Sequence, residues 1–325
     1  MNAGRTVFCQ VLDLLPQQEF HKCVRRYQSQ FGTRGLSCFE QFLAMAFAPL
    51  TGRESLRESI TCLSALGCRL YHAGSRSQLS RSTLADANER RPWQIYADFA
   101  QVLIQRARQL YADEPLDFEL EATAYALDST PVALCMALFP WARFRKHNSA
   151  IKLHTLLDLR AGVPGFIWGS GGRVADLCAL DQLPLEPGAF CVMDRGSIDY
   201  RRLHRCVEDS AFFIVRAKSN LHFICRRSRP VDKATGLRGD QTIVLKDPHT
   251  SPHYPEPLRR ISYTDADTRT PFVFRTNNFQ IDPLIVAQLH KNRWAVELFF
   301  KWIKQPLRIQ SFFGHSPNAV KTQSL

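Results

Sequence analysis

The chain has 325 residues, 45% of them hydrophobic, and its 42 Lys and Arg outweigh 30 Asp and Glu to give a formal charge of +12. This length and apolar content exclude a disordered or fibrous chain and allow two or three domains, and the basic excess points to a polyanionic partner, nucleic acid being the common one. Ten cysteines without a C-x-x-C pair, no signal pattern and no run near about 18 apolar residues argue against a disulfide scaffold, a zinc site, secretion and a membrane span, and for reduced thiols in the cytoplasm.

Residues 1–75 read as a small helical domain. Val7–Leu15 has apolar residues at helical spacing and is closed by Pro16, and Gln17–Phe31 follows. Ser37 and Glu40 form a capping box ahead of the apolar helix Cys38–Leu50. Arg53–Leu66 is amphipathic and stops at Gly67. Residues 76–112 form a second helical segment. Ser80 or Ser82 can cap a short basic helix that runs to about Arg90, before Pro92. It is either the reader of a helix-turn-helix or a connector with solvated arginines; on the first reading Arg76, Arg81, Asn88, Arg90 and Arg91 contact DNA. Trp93–Ala112 is a long amphipathic linker helix.

Residues 113–325 follow an α/β pattern. Asp117–Thr130 ends as a strand terminated by Asp128. Ile151–Arg160 alternates as a half-buried strand does, and Gly165–Gly169 is a third strand. Val174–Leu183 is helical. Ala189–Asp194 is a continuous apolar run, as in a central strand covered on both faces. Ile198–Asp209 is a basic helix and Ala211–Ala217 a fifth strand. Short β-like pieces (Leu221–Cys225, Thr242–Leu245, Leu258–Tyr263, Phe272–Arg275) fill residues 218–276, which read as a compact β-rich insertion. Pro283 starts the last helical region. There Asn292–Ile309, at 100° per residue, puts Arg293, Glu297 and Lys304 on one stripe and Val296, Phe299, Phe300, Trp302 and Ile303 on the other. Trp294 and Trp302 read as core residues, and Pro306 is expected to end or kink the helix near 304–305.

Two strands therefore carry an acid at the same relative place, Asp128 after Tyr-Ala-Leu and Asp194 after Cys-Val-Met. As neighbours in one sheet they would meet at its carboxyl edge, where open α/β sheets bind ligands. Two adjacent carboxylates call for a cation, and oxygen donors on rigid strands suit Mg²⁺ or Mn²⁺. Glu297 on a helix would complete a site for two ions about 3.5–4 Å apart, a device for phosphoryl transfer.

These residues resemble the bacterial insertion-sequence DDE transposases of the IS-four family. The family signature Y-x2-R-x3-E-x6-K is met by Arg293, Glu297 and Lys304, with His290 in the place of Tyr. L-D-S-T and M-D-R-G supply Asp128 and Asp194. F-P-W-A-R-F-R-K-H, A-I-K-L-H-T-L-L-D-L-R, T-N-N-F and S-R-S-T-L-A-D-A-N are also family-like. The resemblance implies a ribonuclease-H-like core with a β insertion, Asp128, Asp194 and Glu297 as catalytic metal ligands for two Mg²⁺ or Mn²⁺ ions, and DNA as the partner. Arg293, Lys304, Arg195, Lys152, Arg143, Arg145, Lys146 and Arg81 would contact that DNA. It further implies nicking at the terminal inverted repeats followed by strand transfer, a homodimer that joins two element ends, and a nucleoid location in the cytoplasm. Ser197, Ala175 and Pro306 depart from the family pattern, and the C-terminus is expected to be truncated. A catalytically inactive DNA-binding remnant and a nuclease of the same fold are the alternative readings.

Overall fold

A computed structural model describes residues 6–29, 35–75, 79–111, 114, 119–145, 148–183, 185–217, 221–305 and 312–324. Apolar residues at helical spacing give each early helix one buried face. These helices are α1 (Val7–Leu12), α2 (Gln17–Arg26), α3 (Cys38–Leu50), α4 (Leu56–Ala65), α5 (Arg81–Arg90) and α6 (Gln94–Leu110). Ser37 and Glu40 make the expected capping box on α3, and Ser80 caps α5. One core, running from Phe8 to Phe99, holds all six helices together.

Arg91 and Asn88 belong to that core and not to a DNA-reading surface. Arg91 donates to the Leu36 carbonyl and to Gln41 Oε1 (3.0 Å), and Gln41 donates to Asn88 Oδ1 (2.7 Å). All three side chains are buried and satisfy one another's polar groups. We expect Arg91→Ala to lower folding stability by about 2–4 kcal/mol, since it leaves buried acceptors without a donor. The change should show in urea denaturation, while DNA affinity of the folded fraction stays at the wild-type level.

The remaining chain builds a ten-stranded sheet: β1 (Ala124–Leu134), β2 (Arg143–Arg145), β3 (Asn148–Asp158), β4 (Pro164–Gly171), β5 (Phe190–Met193), β6 (Phe212–Arg216), β7 (Phe223–Arg229), β8 (Leu237–Leu245), β9 (Leu258–Thr264) and β10 (Pro271–Thr276). Five of these lie in the order β4-β3-β1-β5-β6. Strands β1, β5 and β6 are parallel, and β3 runs antiparallel between β1 and β4, which is the ribonuclease-H-like arrangement. The β-rich insertion lies between β6 and the last helices, as expected, and it joins the main sheet. β10 pairs with β6, and β9, β8 and β7 follow outward, so the four strands extend the main sheet.

Helix α7 (Tyr200–Glu208) packs on one face of the sheet. Helices α8 (Pro283–Asn292) and α9 (Trp294–Lys304) pack on the other. The segment expected as a helix over 174–183 is a shorter 3₁₀ turn, Asp176–Asp181. A last helix, α10 (Pro317–Ser324), is tied back to α5 by Asn318, which donates to the carbonyls of Asn88 (2.8 Å) and Arg91 (2.7 Å). Arg108 of α6 reaches Asp158 (3.2 Å) and Glu186 (2.9 Å) and so anchors the helical region to the sheet. Among the described residues no helix is long and apolar enough to cross a membrane.

Candidate active site

Strands β1 and β5 are paired in parallel up to Leu127 and Met193, so Asp128 and Asp194 are the next residue on each. β5 stops there and Asp194 opens the 3₁₀ turn Arg195–Ser197. β1 does not stop at Asp128, as its sequence suggested. Ser129–Leu134 continue to pair with β3, because Pro131-Val-Ala-Leu keeps the strand alternation going. The loss of β5 as a partner, not the end of β1, is what opens a space beside Asp128. Period-two alternation then sends Ala126, Asp128 and Thr130 to the α9 face and Leu127 and Ser129 to the α7 face.

Helices α8 and α9 meet at Arg293, which caps the end of one and the start of the other. The buried stripe of α9 is Val296, Phe300 and Ile303, which lays the helix over β1 and β3. Glu297 and Arg293 therefore come down beside Asp128. Arg293 donates to Asp128 Oδ2 (3.1 Å) and to Glu297 Oε1 (2.9 Å), with only 9% of the residue exposed. Burial pushes the Asp128 carboxyl above the usual carboxylate range. The Ser129 amide (2.7 Å) and Arg293 oppose that rise, and the nearby charges of Glu297 and Asp194 add to it. Three acids thus share one electrostatic field.

The donor set is all oxygen and suits a hard divalent cation. The Arg293 guanidinium stands between two of those acids, however, and among the described residues no three acids already surround one point closely enough to hold an ion. The acids fit Mg²⁺ or Mn²⁺ by chemistry, with a protein cation in the intervening place. Lys304, the last residue of α9, donates to Thr130 Oγ1, two residues along β1 from Asp128, and burial lowers its pKa. Arg293, Glu297 and Lys304 share one stripe as expected, and that stripe faces β1. The helix ends at Lys304 with Gln305 as its cap, and Pro306 lies outside the described residues.

Other sequence candidates fare differently. Lys152 is not a free cation, since its ammonium donates to Asp176 (3.1 Å) and the Val174 carbonyl (3.1 Å). Arg90 is exposed but paired with Asp86 (2.9 Å). Arg81, Arg143 and Arg195 are exposed. Arg76, Lys146 and the side chain of Arg145 lie outside the described residues. Trp294 and Trp302 are 61% and 53% exposed, contrary to expectation. Together with Leu298 they recur every four residues on the side of α9 away from β1, where the core stripe cannot reach them. The sequence reading also missed Arg216. It ends β6 much as Asp194 follows β5, and its guanidinium sits 4.7 Å from the Phe272 ring in a cavity it shares with Arg293 and His290. The strand-end position that singled out the two acids would have found it.

A polar network on the α7 face backs Asp128. Ser129 and Lys152 both donate to Asp176, and His154, paired across the strands with Ser129, hydrogen-bonds Ser170 (2.8 Å). Burial would raise the Asp176 carboxyl, but the Ser129 hydroxyl and Lys152 hold it below its ordinary value. His154 is 1% exposed, and burial lowers its pKa to about 4, with Asp176 opposing and Lys152 adding to the fall. A histidine whose folded pKa is depressed contributes stability above its unfolded pKa of about 6.5 and loses it as pH falls toward 4. We expect that loss to be about 3 kcal/mol for wild type and to be absent in His154→Gln, read as the difference in denaturant midpoint against pH.

A model of the transposase DDE domain matches residues 119–325, and a model of a domain of unknown function matches residues 3–76. A Sinorhizobium fredii protein named as a transposase, y4zB, is 34% identical over 244 residues, which is 74% of this chain and 66% of that one. A Geobacillus stearothermophilus protein named as a transposase for insertion sequence element IS5377 is 29% identical over 201 residues, 61% of this chain and 52% of its own. A Synechocystis protein named as a transposase for insertion sequence element IS4SA is 23% identical over 273 residues, 82% of this chain and 74% of its own. The chain thus spans just under two thirds of the first relative's length and about half of the second's. Among solved structures, a piggyBac transposase in a synaptic complex with hairpin DNA aligns with a TM-score of 0.43 at 10% identity, covering 99% of this chain and 73% of that one.

Proposed function

Because this chain belongs to the family defined by the transposase DDE domain, we propose that it cuts and joins DNA at the ends of an insertion element, with Asp128, Asp194 and Glu297 as its catalytic acids. One observation carries the reading: two strand-borne aspartates meet at one sheet edge, and the same guanidinium that grips Asp128 also grips Glu297 on α9. Asp128, Asp194 and Glu297 would hold two Mg²⁺ or Mn²⁺ ions. When bound, these supply an activated attacking oxygen, from water or a 3′-hydroxyl, and charge to stabilise the leaving oxygen.

The chain's own groups do the remaining work. Arg293, once its two carboxylates have another counter-charge, is free to turn to a phosphate at the scissile bond. Lys304 lies along the same stripe, close enough to β1 to hold a neighbouring phosphate. The buried backing of Leu127, Met193 and Val296 keeps water from the rear of the site. Nicking at the terminal repeats is then followed by attack of the freed 3′-hydroxyl on target DNA. Joining two element ends calls for a homodimer. The setting would be the nucleoid, in the cytoplasm.

The test is to incubate the purified protein with terminal inverted-repeat DNA and Mg²⁺ or Mn²⁺, beside an Asp194→Ala control. Strand-transfer products absent from the control are expected. Cleavage without joining would assign a nuclease, and binding without cleavage would refute the catalytic reading.

A further inference from the structure

On the reading that makes Asp128 a catalytic acid, we propose that Ser129, Asp176 and Lys152 are its positioning residues, fixing the peptide whose amide orients the Asp128 carboxylate. The Ser129 amide donates to Asp128 Oδ1 at 2.7 Å. The hydroxyl of the same residue donates to Asp176 Oδ1 at 2.5 Å on the opposite face of the sheet. Lys152 donates to that oxygen (3.1 Å) and to the Val174 carbonyl (3.1 Å), so it holds both the acid and the backbone that leads to it. Behind them His154 lies 3.9 Å from Asp176 and hydrogen-bonds Ser170.

The fold gives Asp128 a need for this support. Ahead of it β1 is paired on both sides, with β3 and with β5, but the pairing with β5 ends at Leu127. Among the described residues the peptide between Asp128 and Ser129 therefore has a strand neighbour on one side alone. Backbone held by fewer hydrogen bonds opens more readily, and the carboxylate one peptide away inherits that freedom. Ser129 removes it. Period-two alternation sends its side chain to the face opposite Asp128, where Asp176 starts the 3₁₀ turn Asp176–Asp181. One residue thus grips the carboxylate with its amide and the α7 face with its hydroxyl.

The charges suit the task. Asp176 is a fourth acid close to a site that already has three, and Lys152 offsets it with an ammonium whose side chain is 13% exposed. A hydroxyl bound to an ionised carboxylate makes a charge-assisted bond, firmer than one to a neutral acceptor. An ion pair that served stability alone could sit anywhere along β1 and β3. This one converges on the residue that follows Asp128. Outer partners of a cation ligand fix its orientation, and their loss typically costs roughly 10–100-fold in metal affinity or activity. Lys152, expected from sequence to meet DNA phosphates, acts here from the far face of the sheet.

The experiment compares wild type, Ser129→Ala, Ser129→Thr, Asp176→Ala and the Ser129→Ala/Asp176→Ala double variant. The first readout is the Mn²⁺ concentration that half-completes the rise in thermal midpoint, without DNA. The second is the joining rate at saturating terminal-repeat DNA, beside the DNA dissociation constant. Each alanine variant should need about tenfold more Mn²⁺ and join about tenfold more slowly. DNA affinity should stay at the wild-type level, since both side chains lie away from Arg293 and Lys304. Ser129→Thr keeps the hydroxyl on a residue suited to a strand and should restore both readouts. The double variant should lose no more than either single one, because the two side chains act through one hydrogen bond. The Asp176 side chain is 48% exposed, so its variant folds even if Ser129→Ala perturbs β1. A wild-type Mn²⁺ requirement in both alanine variants would overturn the proposal, and so would losses that add in the double variant. Absence of joining by wild type would count against the transposase reading, while the Mn²⁺ requirement, measured without catalysis, still decides the role of Ser129.

Discussion

Replacing Asp128 or Asp194 with Asn should reduce strand transfer on the order of 10³-fold while the chain stays folded and bound to DNA. The size follows from the role: a carboxylate that holds a catalytic cation supports several kcal/mol of charge stabilisation, and about 1.36 kcal/mol is worth a factor of ten in rate. The fold should tolerate the change because Asn keeps the shape. Asp128 Oδ1 accepts the Ser129 amide and Oδ2 accepts from Arg293, and an amide oxygen can replace one of these acceptors. Removing the charge weakens the contact to Arg293 but also relieves the cost of burying a carboxylate and, to a lesser degree, the repulsion from Glu297 and Asp194, all of which raise the Asp128 carboxyl. The two effects oppose, and the net change in stability should be within about 1 kcal/mol. The decisive comparison is product formation with Mn²⁺ against DNA binding in the same preparation. Joining at the wild-type rate by either variant would remove these aspartates from the chemistry.

Much of this architecture is legible in local sequence, where one signal outweighs its competitors. Ser37 and Glu40 specify the start of α3, Pro283 specifies the start of α8, and Phe190–Met193 is apolar throughout because both faces are covered. The three acids are legible because strand ends and helix stripes are periodic features. What is not legible depends on partners distant in the chain. Nothing in Pro271–Thr276 states that its neighbour is β6, so the insertion is legible but its place in the main sheet is not. Asn88 and Arg91 look like surface groups until Gln41, about fifty residues earlier, comes to meet them. Trp294 and Trp302 look like core because of their size, but the helix has a single buried stripe and they fall outside it. The cross-strand pairing of Arg260 with Arg275 needs the register of β9 and β10, which no local pattern fixes.

The second large effect concerns Arg293, and it couples stability to metal. Arg293→Met should destabilise the metal-free protein by about 2 kcal/mol. Breaking a fully buried ion pair costs about 3–5 kcal/mol, and here the Asp128 and Glu297 side chains are 30% and 39% exposed, so solvent screens part of that. The variant leaves two carboxylates facing each other, with Asp194 adding to the repulsion. A divalent ion can then enter without displacing a guanidinium. Mn²⁺ at about a hundred times its dissociation constant should restore about 2.7 kcal/mol. The denaturant midpoint of Arg293→Met should therefore start below wild type and rise more steeply with Mn²⁺. Strand transfer should nevertheless fall on the order of 10²-fold, because the same guanidinium is the candidate partner for the scissile phosphate. Arg293→Lys should recover little, since a point charge on a single stem cannot bridge two carboxylates as a planar fork does. If wild type and Arg293→Met respond identically to Mn²⁺, Arg293 is a structural ion pair and metal does not enter between Asp128 and Glu297. A steeper response confined to the variant would mean that loading this site exchanges one cation for another, with Arg293 released toward DNA as the ions bind.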